Sequence, residues 1–68
     1  MSTVTVTRKR RNRFVVSFSD LPGHTFGPWD FAETVRDLRV SALLTPREAR
    51  DLVLDADASG TARREQGS

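Results

Sequence analysis

The sequence predicts an α+β fold: a small three-stranded antiparallel β-meander packed against a C-terminal helical hairpin, in the order β-β-β-α-α. Three observations predict it. Residues 3–7 and 13–19 alternate at period two, the pattern of half-buried strands. Pro22-Gly23 and Gly27-Pro28 then punctuate the chain as turns. From Phe31 onward the apolar spacing changes to three and four, behind two capping signatures.

The first strand is "TVTVT", residues 3–7. It alternates β-branched polar and apolar residues, with Val4 and Val6 on one face. The second is "RFVVSFS", residues 13–19. Phe14, Val16 and Phe18 share the face expected to meet the helices, and Val15, Ser17 and Ser19 share the other. Between them lies "RKRRNR", with Asn12 as the turn-tolerant residue. Pro22-Gly23 fits the centre of a type II turn, because Pro presets φ and Gly accepts a positive φ. Residues 24–28 return as a short third strand carrying Phe26, ended by Gly27 and Pro28. Trp29 is placed to plug the junction between sheet and helices.

Asp30 with Glu33 three residues on starts the first helix, and Phe31, Val35, Leu38 and Ala42 recur along it. Thr45-Pro46-Arg47-Glu48 starts the second: Thr45 caps, Pro46 suits the first helical position, and Glu48 reaches back to the cap. Ala49, Leu52, Val53 and Ala56 form its apolar face, and Gly60 stops it. The fold therefore occupies residues 1–58 as a single domain, with 59–68 read as a disordered polar tail.

Sixty-eight residues bury only about 60% of their unfolded surface. There is no cysteine, so neither a disulfide nor a thiolate metal site can reinforce the core. A small unstapled core of this kind leaves a homodimer open. The apolar run Ala42-Leu43-Leu44, in a turn where polar residues are usual, either seals a self-interface or caps the monomer core, with the interface slightly preferred. Apolar runs are far short of the roughly 20 residues of a membrane span, which predicts a soluble, cytoplasmic protein with no membrane partner.

Little in the residue inventory supports enzymatic chemistry. His24 is the sole histidine and has no candidate nucleophile to activate. The four glycines are scattered and form no phosphate-binding loop. Asp51, Asp55 and Asp57 do not follow the spacing of a calcium loop and read as a solvated helix face. The expectation is a non-enzymatic protein without catalytic residues, metal or cofactor.

Charge is the feature that points outward. Net charge is only +2, yet residues 1–13 carry +5 and residues 14–68 carry −3. The positive charge lies on Arg8, Lys9, Arg10, Arg11 and Arg13, between two strands. Such a run keeps a strand edge soluble. On a protruding ribbon it also pairs with phosphates and releases their counterions. These five residues are therefore the candidate nucleic-acid-binding set, with DNA as the preferred partner. The alternative is a protein-interaction or oligomerisation module acting through the helical hairpin.

Two stretches carry resemblances. "RNRFVVSFSDLPGHTFGPWDFAETVRDL" resembles the small arm-binding domains, a three-stranded sheet plus helix, found at the start of some phage-type integrases. That resemblance spans roughly the first forty residues and implies DNA contact through the sheet; the second capped helix departs from it. "RDLRVSALLTPREARDLV" is similar to short helical-hairpin modules with a Leu-Thr-x-x-Glu-Ala elbow, which implies protein association. Neither assigns a role to an individual residue here.

Overall fold

A computed structural model describes residues 2–65 of the chain. Its elements are β1 (Thr3–Arg10), β2 (Arg13–Phe18), β3 (Thr25–Trp29), α1 (Phe31–Ser41), α2 (Pro46–Ser59) and β4 (Thr61–Glu65). The strands form one antiparallel sheet in the order β3-β2-β1-β4, and both helices cover the same face. The class and the meander-plus-hairpin arrangement are those the sequence predicts, enlarged by a fourth strand.

Residues 61–65 correct the expectation of a disordered tail from 59 onward. They pair with β1, Thr61 opposite Thr7 through to Glu65 opposite Thr3. The sequence "TARRE" has a single apolar residue, so its own pattern gives no strand signal. Two features outside that pattern make the strand. Gly60, at φ 93°, turns the chain out of α2. β1 would otherwise present an unpaired edge. Residues 66–68 of the expected tail lie outside the described residues.

The strand register follows the alternation. Val4, Val6, Phe14 and Val16 are at most 1% exposed, and they meet Leu38, Ala42, Leu44, Ala49, Leu52, Val53 and Ala56 in one core. Phe18 joins them at the edge. Phe14 packs edge-to-face on Phe31, with ring centroids 6.4 Å apart. Trp29 sits half-buried against the core, opposite Phe14, as the junction plug expected of it. Phe26 reaches only the rim, edge-to-face on Phe18 at 5.8 Å.

The third strand runs one residue beyond its expected end, through Pro28 to Trp29. Pro28 is tolerated because β3 is an edge strand and its missing donor would face solvent. Gly27 is required there. Its φ is 114°, and a Cβ at this position would lie 2.7 Å from the Phe14 carbonyl oxygen. Gly23, at φ 84°, occupies the third position of the 21–24 turn, closed by His24 N–H donating to Leu21 O at 3.1 Å.

Both helix starts are capped. The Asp30 carboxylate accepts from Glu33 N–H at 2.8 Å. Thr34, fully buried, donates its hydroxyl to Asp30 O at 2.6 Å. At α2 the capping box is complete: Glu48 N–H donates to Thr45 Oγ1 at 3.1 Å, and Thr45 N–H donates to Glu48 Oε1 at 3.0 Å. Arg64 of β4 adds an ion pair to Glu48 Oε2 at 2.8 Å, which joins the last strand to the start of α2.

Hydrogen bonds from the Thr45 backbone and hydroxyl, then the nearby Arg64 charge, hold the Glu48 carboxyl below its ordinary value of 4.5. The unfolded chain therefore takes up this proton first as pH falls. The stabilisation is complete above the unfolded value and is lost as pH drops through the lower folded one. Glu48→Gln should accordingly flatten the acid limb of a stability–pH curve measured by urea melts, with no change in the curve's shape above neutrality.

In the turn between the helices the structure favours the second of the two readings of the apolar run, a cap on the monomer core. Ala42 and Leu44 are buried in the monomer's own core, so Leu43 alone of the run remains for a self-interface. Leu43 adopts φ 56°, and Leu44 N–H returns to Leu38 O at 3.3 Å beside Ala42 N–H to the same oxygen at 3.1 Å, closing α1 in a left-handed C-terminal turn. The left-handed conformation costs a non-glycine residue about 1–2 kcal/mol. The Leu43 side chain is 75% exposed and offsets little of this. Leu43→Gly should therefore raise stability by about 0.5–1 kcal/mol in denaturant melts, net of the glycine entropy penalty.

Candidate nucleic-acid interface

The sheet and hairpin place the five predicted cations in three different settings. β1 and β2 pair in strict alternation from Val4–Phe18 up to Arg8–Phe14, and the register then shifts before Arg10–Arg13. That bulge falls on Lys9. Asn12 closes the hairpin at φ 55°, a conformation Asn tolerates better than most residues. Its side chain has a second task. Asn12 Oδ1 accepts from Phe31 N–H at 3.0 Å, satisfying an otherwise unpaired donor in the first turn of α1. The hairpin tip is thus tied to the start of α1.

Arg8 lies opposite Phe14 and turns toward the helical layer. Its Nε is 3.4 Å from Asp57 Oδ1, and its Nη1 lies 3.4 Å from the Asp57 carbonyl. The last turn of α2 carries no basic residue of its own. Arg8 supplies that charge from β1, where it complements the negative end of the helix dipole. It is the one member of the predicted set engaged by an acid.

Lys9, Arg10 and Arg13 gather on the opposite side of the ribbon. With Val15 and Pro28 they line a shallow concavity of about 490 Å³ on the open face of the sheet. Arg13 Nη1 donates to Asn12 O at 2.8 Å, which fixes one side of that concavity. Arg11 is exposed at the tip. Four cations are thus presented outward, three of them on one surface.

The ribbon runs one residue pair, Arg10–Arg13, past the wider sheet, with its tip held to α1 by Asn12. β4 pairs with β1 only as far as Thr7, and Arg8 N–H makes the last link, to Gly60 O at 2.9 Å. On the other side β3 ends at Trp29, opposite Phe14. Beyond these points the sheet is two strands wide. A two-stranded ribbon fits the B-DNA major groove, which is about 12 Å wide; a four-stranded sheet does not.

The rest of the open face is small and polar. Thr5 and Ser17 oppose each other, as do Thr7 and Val15, with Thr25 beyond Ser17. Among the described residues the aromatic rings lie on the helix side: Phe14, Phe18, Phe26, Phe31 and Trp29. Arg63 is the residue that sequence reasoning missed. Its position in β4 sets it opposite Thr5, on the open face, four residues along from Lys9 or about 13 Å. No signal in the sequence marks it: the facing of Arg63 outward, with Ala62 and Arg64 inward, is set by the pairing of β4 with β1.

No group of three or more His, Asp or Glu suited to a metal ion occurs among the described residues. No helix among them is long and apolar enough to cross a membrane. Comparison with protein-family models, curated proteins and solved structures yields no significant match to this chain.

Proposed function

We propose that the protein binds duplex DNA, without catalysis, through the ribbon formed by the ends of β1 and β2. The observation that carries this reading is the convergence of Lys9, Arg10 and Arg13 on one concave surface at the two-stranded end of the sheet, with Arg11 at its tip. Cations so placed reach phosphates on either wall of a groove and release their counterions. Arg63 extends the positive surface along the sheet. Arg8 serves the fold through Asp57 and contributes little to binding.

The residue types on the open face favour a duplex over a single strand. Single-strand readers stack bases on exposed aromatic rings. Here the described rings are turned to the helices, and the open face offers hydroxyls and one valine beside the cations. Fluorescence anisotropy at low salt tests the reading with a labelled DNA duplex, the matching RNA duplex and single-stranded DNA. The DNA duplex should bind most tightly. Absence of binding to every probe would contradict the proposal.

A protein partner on the helical hairpin is the second reading, favoured by Val40 and Leu43, both about three-quarters exposed at the end of α1. Pull-down with and without nuclease separates the two: partners lost on nuclease treatment support DNA, and partners retained support the hairpin.

A further inference from the structure

The pole of the molecule opposite the ribbon carries the complementary surface. A groove of about 290 Å³ opens between the C-terminal half of α1 and the end of β2, lined by Phe18, Asp20, Leu21, Phe26, Asp37 and Ser41. Its floor is apolar, and Leu21 and Phe26 are partly open to solvent. Two carboxylates stand over it. The ion pairs formed among the described residues are Arg8–Asp57 and Arg64–Glu48, so neither Asp20 nor Asp37 has a cation. Asp37 accepts from the Ser41 hydroxyl at Oδ1, 3.0 Å away, while its Oδ2 is covered and has no hydrogen-bond partner. The groove therefore carries two carboxylate charges that no cation of its own chain neutralises within ion-pair distance.

We propose that this groove receives the basic ribbon of a second copy of the chain, giving head-to-tail association. Both halves of the contact are present on each molecule. Lysine and arginine lay apolar stems along an apolar floor while their charged ends meet carboxylates. The exposed face of Phe26 offers a further cation contact. A molecule cannot serve its own groove, because Arg13 and Phe18 lie at opposite ends of β2, about 16 Å apart. The two surfaces differ, so the contact is heterologous and does not close into a dimer. Copies add in series.

Sedimentation velocity without nucleic acid tests this, independently of DNA binding. At about 10 mM salt, where charges act over about 30 Å, the sedimentation coefficient should rise with concentration without levelling at a dimer. Molar salt should return it to the monomer value. Two variants make the decisive arm: Lys9→Gln/Arg10→Gln/Arg11→Gln, which lacks the ribbon charge, and Asp20→Asn/Asp37→Asn, which lacks the groove charge. Each alone should be monomeric. Mixed, they should form a 1:1 pair and no more, because one retains only a groove and the other only a ribbon. Circular dichroism melts establish that both are folded. A wild type that stays monomeric at low salt, variants that still associate alone, or a mixture that does not pair would each overturn the proposal.

Discussion

Phe14→Ala should destabilise the protein by about 3–5 kcal/mol, a large fraction of what holds it folded. The ring is 1% exposed and sits where sheet, α1 and the junction tryptophan meet: it packs edge-to-face on Phe31 and lies opposite Trp29 in the sheet. Truncating a buried phenylalanine costs about 3–5 kcal/mol. A chain of this length has roughly 3–10 kcal/mol in total. The same carbonyl that Gly27 approaches belongs to Phe14, so the local backbone has little room to collapse into the cavity. Ser17→Ala, three residues along on the open face, should stay within about 0.5 kcal/mol. Urea melts of the two variants provide the check. Equal costs would mean that the strand faces are assigned the wrong way round.

Replacing Lys9, Arg10 and Arg11 together by Gln should remove most of the duplex affinity. Three phosphate contacts contribute a counterion-release factor of about 10^2.7 between molar and 0.1 M salt, so the loss at 0.1 M should be several hundredfold. The melting temperature should barely move, since these side chains are exposed and exposed charges contribute little to folding. Arg8→Gln is the informative comparison. It removes a cation from the same run but one that is paired with Asp57, so affinity should fall little.

Much of the fold was legible because local and long-range signals agree. In β2, the alternation of Phe14, Val16 and Phe18 set the buried face without ambiguity, since a slip of one residue would expose all three. In α2, Thr45, Pro46 and Glu48 marked the start, and each has the expected role. β4 was not legible. Its residues are held by pairing with β1 and by the Arg64–Glu48 ion pair, both contacts with distant parts of the chain. Thr34 was likewise hidden, because its burial depends on a hydroxyl bond to Asp30 O rather than on an apolar pattern.

The candidate site was legible as charge but not as geometry. The run from Arg8 to Arg13 is plain in the sequence. Which way each cation points depends on the bulge at Lys9 and on the left-handed Asn12, and neither follows from composition. Nor does the sequence reveal that Asn12 also ties the tip to α1, which sets the ribbon's direction relative to the helices. Arg63 joined the surface only once β4 was in place.

The salt dependence of duplex binding tests the central claim most directly. Lys9, Arg10, Arg11 and Arg13 present four cations outward, which predicts a log–log slope of affinity against salt near −3.6, at about −0.9 per phosphate. The Lys9→Gln/Arg10→Gln/Arg11→Gln variant should retain a slope near −0.9. Arg8→Gln should keep the wild-type value, because its guanidinium is already committed to Asp57. A wild-type slope close to zero, or an unchanged slope in the triple variant, would contradict the assignment of the ribbon as the phosphate-binding surface.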